Sequence, residues 1–181
     1  MGNGRPRLMM QTDQARWKSR AEPVLHYVSL SIGAAAAIGL VLWLVGPPVA
    51  PLLLASLGGS TVFLFGLTSA AAAQPRALFG GHLGCALIGI VCYQLFGDAS
   101  WVAAMGVVLS LLFMLSTKTV HPPAGANPLI MIYGHAGFSA LWQPVGCGVV
   151  VLFLVAVIWS RLDRRTVPYP MNWLERSPHS P

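Results

Sequence analysis

The sequence predicts an all-α membrane protein: a polytopic helix bundle of about six membrane segments, some of them short or broken. Three observations carry this. Of the 181 residues, 55% are hydrophobic and only 9% charged, against about a quarter charged in a soluble domain. Apolar stretches long enough to be membrane helices recur between Pro23 and Trp159. Acidic residues are missing between Glu22 and Asp98 and again between Asp98 and Asp163, so the apolar body holds Arg76, Lys118 and a few histidines as its potential cations, and one loop carboxylate.

Residues 1–22 are polar and basic with no apolar period and read as a tail, with an interfacial turn near Trp17. A first span runs from Pro23 to Val45, closed by Gly46, Pro47 and Pro48, and is long enough to stay as an uncleaved span. Ala50 to Ala73 forms a second, in which Ser56, Gly58, Gly59, Ser60 and Thr61 predict a break or a close neighbour, with Gly58 and Gly59 as hinge residues. The third begins at Gln74-Pro75, since proline suits a first helical turn where its missing N–H costs nothing. Gly80 and Gly84 give this helix a small-residue face, for packing inside the protomer or for a homo-oligomer contact. Trp101 to Leu115 is a fourth span, too short alone and needing extension by the residues after it. Ala124 to Tyr133 is a short apolar piece that either crosses with help or re-enters, and Pro144 to Trp159 is the last span.

The net charge of +6 is concentrated at the ends, with five basic residues from Arg5 to Arg20 and four from Arg161 to Arg176. Basic clusters flanking the first and last spans place both termini in the cytoplasm of an inner-membrane protein, and that requires an even number of crossings. The same placement argues for a lipid bilayer as partner and against nucleic acid. Domain boundaries are then a basic tail at 1–22, a transmembrane domain at 23–160 and a second basic tail at 161–181. Pro47-Pro48 followed by Gln74-Pro75, and Pro122-Pro123 followed by Gln143-Pro144, hint at a 3+3 inverted repeat. Cys85, Cys92 and Cys147 lie in apolar segments without a metal pattern and read as small buried residues.

One stretch interrupts the apolar pattern: "STKTVHPPAGANP", Ser116 to Pro128. His121 and Pro122 each precede a proline and are driven to extended backbone. Pro123 can then open a helix, with the amides of Ala124, Gly125 and Ala126 unpartnered at its start, in a setting that favours negative charge. Lys118 and the Thr117 hydroxyl stand just before it, and Gln74-Pro75-Arg76 repeats the recipe with a cation in a first turn. Pro75, Pro122 and Pro123 are the structural hinges of this reading. Two proline-started helices, each with a cation and no carboxylate, describe a small-anion site. Against it stands a plainer account, in which Arg76 and Lys118 snorkel to the interface as anchors.

His82 and His121 are candidates to line that site, and His135 reads as an external loop residue. No His-x3-His or Glu-x2-His spacing supports a metal, no cofactor is indicated, and no Gly-x-Ser-x-Gly with a base-orienting carboxylate supports an enzyme.

Together "ASLGGSTVFLFG", "AAAQPRALFGGHLGCALIG" and "TKTVHPPAGANPL", in that order along the chain, with "VPYPMNW" near the end, resemble the HPP family of integral membrane proteins. The resemblance implies a membrane domain usually described with four spans, and some photosynthetic relatives are regarded as nitrite transporters. The expected function is therefore a transporter or channel for a small inorganic anion, nitrite first. A non-transporting membrane scaffold, binding a partner through glycine faces or tails, is the alternative.

Overall fold

The computed structural model describes residues 5–45, 53–163, 165–174 and 176–177, with the backbone alone for 5–21 and 53–54. Gly46, Pro47 and Pro48, expected to close the first span, and both extreme termini lie outside the described residues. Among the described residues six α-helices succeed one another: α1 (Arg5–Val45), α2 (Leu53–Gly66), α3 (Pro75–Phe96), α4 (Ser100–Thr117), α5 (Asn127–Tyr133) and α6 (Cys147–Leu162). Short 3-10 turns precede α3 and α5, and a 3-10 turn with a π turn at Trp142–Gly146 leads into α6. Among the described residues there is no strand.

Among the described residues four stretches are long and apolar enough to cross a membrane: Glu22–Val45, Pro75–Phe96, Ser100–Thr117 and Phe138–Leu162. α2, with 14 residues, is about 21 Å long against a hydrocarbon core of about 30 Å. Where the sequence predicts six membrane segments, four helices among the described residues have the length and apolarity to span, and α2 and the broken piece at Pro122–Tyr133 are shorter. Leu95, Leu112, Leu154, Ile158 and Trp43 are exposed, as the lipid-facing side of such a bundle requires.

Side-chain contacts give each element its direction. At one end of the bundle Ser29 of α1 donates to the Asp163 carboxylate beyond α6, and Gly33 leaves room for Phe65 of α2 and Trp159 of α6. Leu57, further back on α2, touches Gly148 near the start of α6. So α2 runs with α6 and against α1, and the start of the first span and the end of the last share one end of the bundle. The broken piece runs alongside α3 in the same direction. Thr119 packs on Gly80, His121 and Ala124 on Gly81, and Pro128 and Met131 on Gly89. Beyond them His135 bonds to Asp98 in the α3–α4 loop at 2.9 Å.

The glycine face of α3 is filled from within the chain, by this piece and by Phe113 of α4, which occupies the place a Gly84 Cβ would take. Of the two readings of the Gly80–Gly84 face, these contacts support packing inside the protomer. α3 is the most buried of the long spans and α1 the least, which makes α3 the central helix.

Several local expectations are corrected. α2 passes through Gly58 and Gly59 without a break; Gly59 instead lets the Pro123 ring approach, its Cβ position lying 3.1 Å from that of Pro123. The discontinuity comes after Gly66. The helix of the first span extends N-terminally through Pro23 to Arg5, where a tail was expected. α6 gains regular geometry only at Cys147, because Pro144 falls in the π turn, and Cys147 is exposed.

The region after α6 is no free tail. Tyr169 is fully buried, its hydroxyl donating to the Ala73 carbonyl at 2.8 Å, and burial raises its phenol above the ordinary value. Gln74 Oε1 accepts from the amides of Met171 and Asn172 at 3.0 and 3.2 Å. Ser177 then closes on the end of α4, its amide donating to the Lys118 carbonyl at 3.2 Å.

Candidate functional site

Four polar side chains meet inside the bundle where α2, α3 and the broken piece touch. Ser60 comes from α2, His82 from α3, His121 from the extended entry to the 3-10 turn, and Asn127 from the first position of α5. Each is at most 1% exposed. Ser60 Oγ lies 2.7 Å from His82 Nε2 and 2.8 Å from His121 Nε2. Asn127 Nδ2 donates to the His82 carbonyl and reaches His82 Nδ1, both at 3.0 Å. His121 Nδ1 lies 2.6 Å from the Ala72 carbonyl.

These partners fix where the protons sit. A carbonyl only accepts, so His121 Nδ1 carries hydrogen and its Nε2 is a bare acceptor. The Asn127 amide nitrogen only donates, so His82 Nδ1 is the acceptor and Nε2–H the donor. Ser60 therefore accepts from His82 and donates to His121. One directed chain results, from Asn127 through His82, Ser60 and His121 to Ala72, with every member satisfied.

Local sequence explains each position. Ser60 is placed on α2 with its Oγ 2.9 Å from the Ser56 carbonyl, which offers the hydroxyl a second acceptor beside His121. His121 is extended, φ −130° and ψ 98°, as a residue before proline must be. Gly81 gives it room, since a Cβ there would stand 2.9 Å from His121 Cβ.

The cations lie at the end of the bundle next to this junction. Arg76, in the first turn of α3, donates from Nη2 to the Thr117 carbonyl at 2.8 Å, and its buried Nε has no partner among the described residues. Lys118 terminates α4 in the left-handed conformation, φ 56° and ψ 43°. The amide of Thr119 bonds to the Met114 carbonyl at 2.9 Å and that of Lys118 to Leu115 at 3.3 Å. This is the Schellman termination, in which glycine normally takes the left-handed position. Holding a side chain there costs about 1–2 kcal/mol.

Other expected donors are engaged. The Ala124 amide donates to the His121 carbonyl at 2.9 Å, and the 3-10 pattern of Pro122–Ala126 turns the Gly125 and Ala126 amides back on the preceding carbonyls. The row of open amides expected at Ala124 to Ala126 is thus closed by the helix itself. Thr117 Oγ1 bonds to the Phe113 carbonyl and to Thr119, both at 2.7 Å. Pro75 takes the first position of α3 as expected from sequence, with Gln74 at the cap position without a capping bond.

Sequence reasoning thus singled out His82, His121, Arg76 and Lys118, and missed Ser60, Asn127, Gln74 and Tyr169. Among the described residues no three His, Cys, Asp or Glu side chains converge as a metal site.

A family model described as "HPP, transmembrane region" matches residues 19–170, the stretch that holds all four members of the junction. The chain belongs to the HPP transmembrane family. It is 32% identical over 129 residues to Transmembrane protein DDB_G0269096 of Dictyostelium discoideum, an alignment covering 67% of this chain and 45% of that relative. Transmembrane protein DDB_G0273707/DDB_G0273361 of the same organism is likewise 32% identical over 129 residues, with 67% and 41% covered. The chain therefore spans less than half the length of these curated relatives. No solved structure matches it.

Proposed function

We propose that this HPP-family chain is a transporter or channel for a small inorganic anion, with nitrite the leading substrate. Lys118 and Arg76 act as attractors at the mouth of the polar junction, and His82 and His121 line the path beyond them. The observation that carries this reading is Lys118. A snorkelling anchor needs no particular backbone, yet this cation occupies a strained left-handed position that glycine would fill without cost. Such strain points to a task for the side chain, and at His135, which shares the conformation, that task is the bond to Asp98. Arg76 adds a donor, Nε, that the fold leaves without a partner among the described residues.

In the same reading the chain crosses the inner membrane six times, with both termini in the cytoplasm. Two halves of three segments, α1 to α3 and α4 to α6, then run in opposite directions, each with a short element in the middle. The junction forms where those two short elements meet α3, the place where inverted-repeat transporters hold their substrates. Ser60, His82 and His121 would be reached by an anion only after rearrangement, since they are sealed in this conformation. The scaffold alternative loses its glycine surface, which the chain itself covers.

Uptake of nitrite by liposomes reconstituted with the protein tests the proposal, with nitrate, formate and bicarbonate as competitors. Saturable uptake above that of protein-free vesicles is expected; equal uptake in both refutes it. Reporter fusions at Met1 and Pro181 should report the same face, and opposite faces would refute six crossings.

A further inference from the structure

We infer that Ser60 and His121 form a binding site for one proton, and that this site makes anion movement proton-coupled. The coupling rests on the proposed transport function; the proton site itself does not.

The Ser60 hydroxyl has two acceptors within reach: His121 Nε2 at 2.8 Å and the Ser56 carbonyl at 2.9 Å. With His121 neutral, the hydroxyl hydrogen must point at Nε2, because that nitrogen has only a lone pair to offer. When a proton from water adds to Nε2, the new N–H points back at Ser60 Oγ. The hydroxyl then swings to the Ser56 carbonyl, and Oγ accepts from His82 and His121 together, using both lone pairs. No O–H bond breaks, and no hydrogen bond is lost in either state.

His82 has no such freedom. Its open nitrogen, Nδ1, already receives a hydrogen from Asn127. Rotating the Asn127 amide to accept there would set its oxygen against the His82 carbonyl, which the amide nitrogen now satisfies. The junction therefore takes up one proton, at His121, and Ser60 is the rotor that admits it.

The groups facing His121 sharpen the consequence. α2 contributes Ser60 and the edge of Phe63, α3 contributes His82, and the turn before α3 contributes the Ala72 carbonyl. Neither α2 nor α4 carries any titratable side chain. Among the described residues the charges bordering it are cations: Lys118, three residues earlier, and Arg76 on α3, with its guanidinium on Thr117. An added proton is repelled by both, and an anion held between them removes the repulsion. Proton and anion each raise the other's affinity, as reciprocal linkage requires. One anion moves with one proton, without net charge.

Two measurements test this. In the full-length protein in nanodiscs, 15N-histidine NMR should find His121 as the Nδ1–H tautomer and His82 as the Nε2–H tautomer, with His121 the first of the two to become doubly protonated on acidification. The opposite tautomers, or His82 protonating first, would overturn the proton site. In proteoliposomes with equal nitrite on both sides and acid outside, nitrite should accumulate inside toward about tenfold per pH unit, faster than in protein-free vesicles that set the nitrous acid background. Vesicles that pass nitrite down its own gradient but respond to the pH gradient no faster than background overturn the coupling and leave the transport reading intact. If nitrite crosses under neither gradient, transport and coupling fall together, and the tautomer order alone decides the proton site.

Discussion

Replacing Lys118 by glycine should make the protein more stable and less active at once. The backbone at this position is left-handed, with φ 56°, a conformation that costs a side-chain-bearing residue about 1–2 kcal/mol and glycine almost nothing. Glycine gives back about 0.4–1 kcal/mol through the greater freedom of the unfolded chain. The net expectation is a gain of about 0.5–1 kcal/mol, with the two amide bonds that end α4 retained. An SDS-unfolding titration in mixed micelles reads that gain. Nitrite uptake, in the same preparation, should fall to the protein-free background. Lys118→Met, which removes the ammonium but keeps the strain, should lose uptake without the gain in stability. His135 provides the control, because it lies just past α5 in the same conformation, φ 50°, at an exposed turn. His135→Gly should leave uptake unchanged. A Lys118→Gly protein that transports normally would reduce Lys118 to an anchor and remove the observation on which the transport reading stands.

Ser60→Ala deletes two hydrogen bonds between segments, to His82 and His121; at about 0.6–1.7 kcal/mol each in a membrane protein, the loss should be about 1–3 kcal/mol. Ser60→Thr, which keeps the hydroxyl, should recover most of it, and an alanine variant as stable as wild type would show that the junction does not hold the bundle together. Gly89→Ala would set a methyl 2.7 Å from Pro128 Cα, backbone that cannot yield cheaply, and should cost about 1–3 kcal/mol. Gly125, with nothing near its missing side chain, should accept alanine in the same unfolding assay; equal effects at both would refute the packing of the broken piece on α3. The hydrogen bond from His135 holds the Asp98 carboxyl below its ordinary value. Its contribution to stability is thus fully present above the ordinary carboxylate value and fades as pH falls through the lowered one. In 13C-carboxyl NMR, His135→Ala should raise the Asp98 titration toward the ordinary value, and an unchanged titration would refute the pair.

Much of the fold was legible because hydropathy alone marks the full-length spans. Their boundaries are set by Pro75, Lys118 and the end basic residues, where the apolar pattern stops. The short elements were harder, since α2 has a glycine-rich middle that reads as a break, and only tertiary contact reveals that Gly59 exists to admit Pro123. His82 and His121 stood out as polar residues in an apolar body. Ser60 did not, sitting in a run of small residues, yet a depth argument would have found it. Ser60 lies six residues from the end of α2 and His82 seven from the start of α3, about 9 and 10.5 Å from the same end of the bundle. Asn127 and Tyr169 carry their roles through partners remote in sequence, to which no local pattern points. The amides of Ala124 to Ala126 were misjudged for a different reason: a 3-10 turn closes its bonds one residue sooner than an α-helix and leaves fewer donors open.

Counterflow is the most direct measurement. Proteoliposomes loaded with unlabelled nitrite and diluted into a trace of 15N-nitrite at equal pH should show a transient internal excess of label over protein-free vesicles, abolished in Lys118→Gly. Label entering no faster than in protein-free vesicles would contradict the assignment of this HPP-family chain to anion transport.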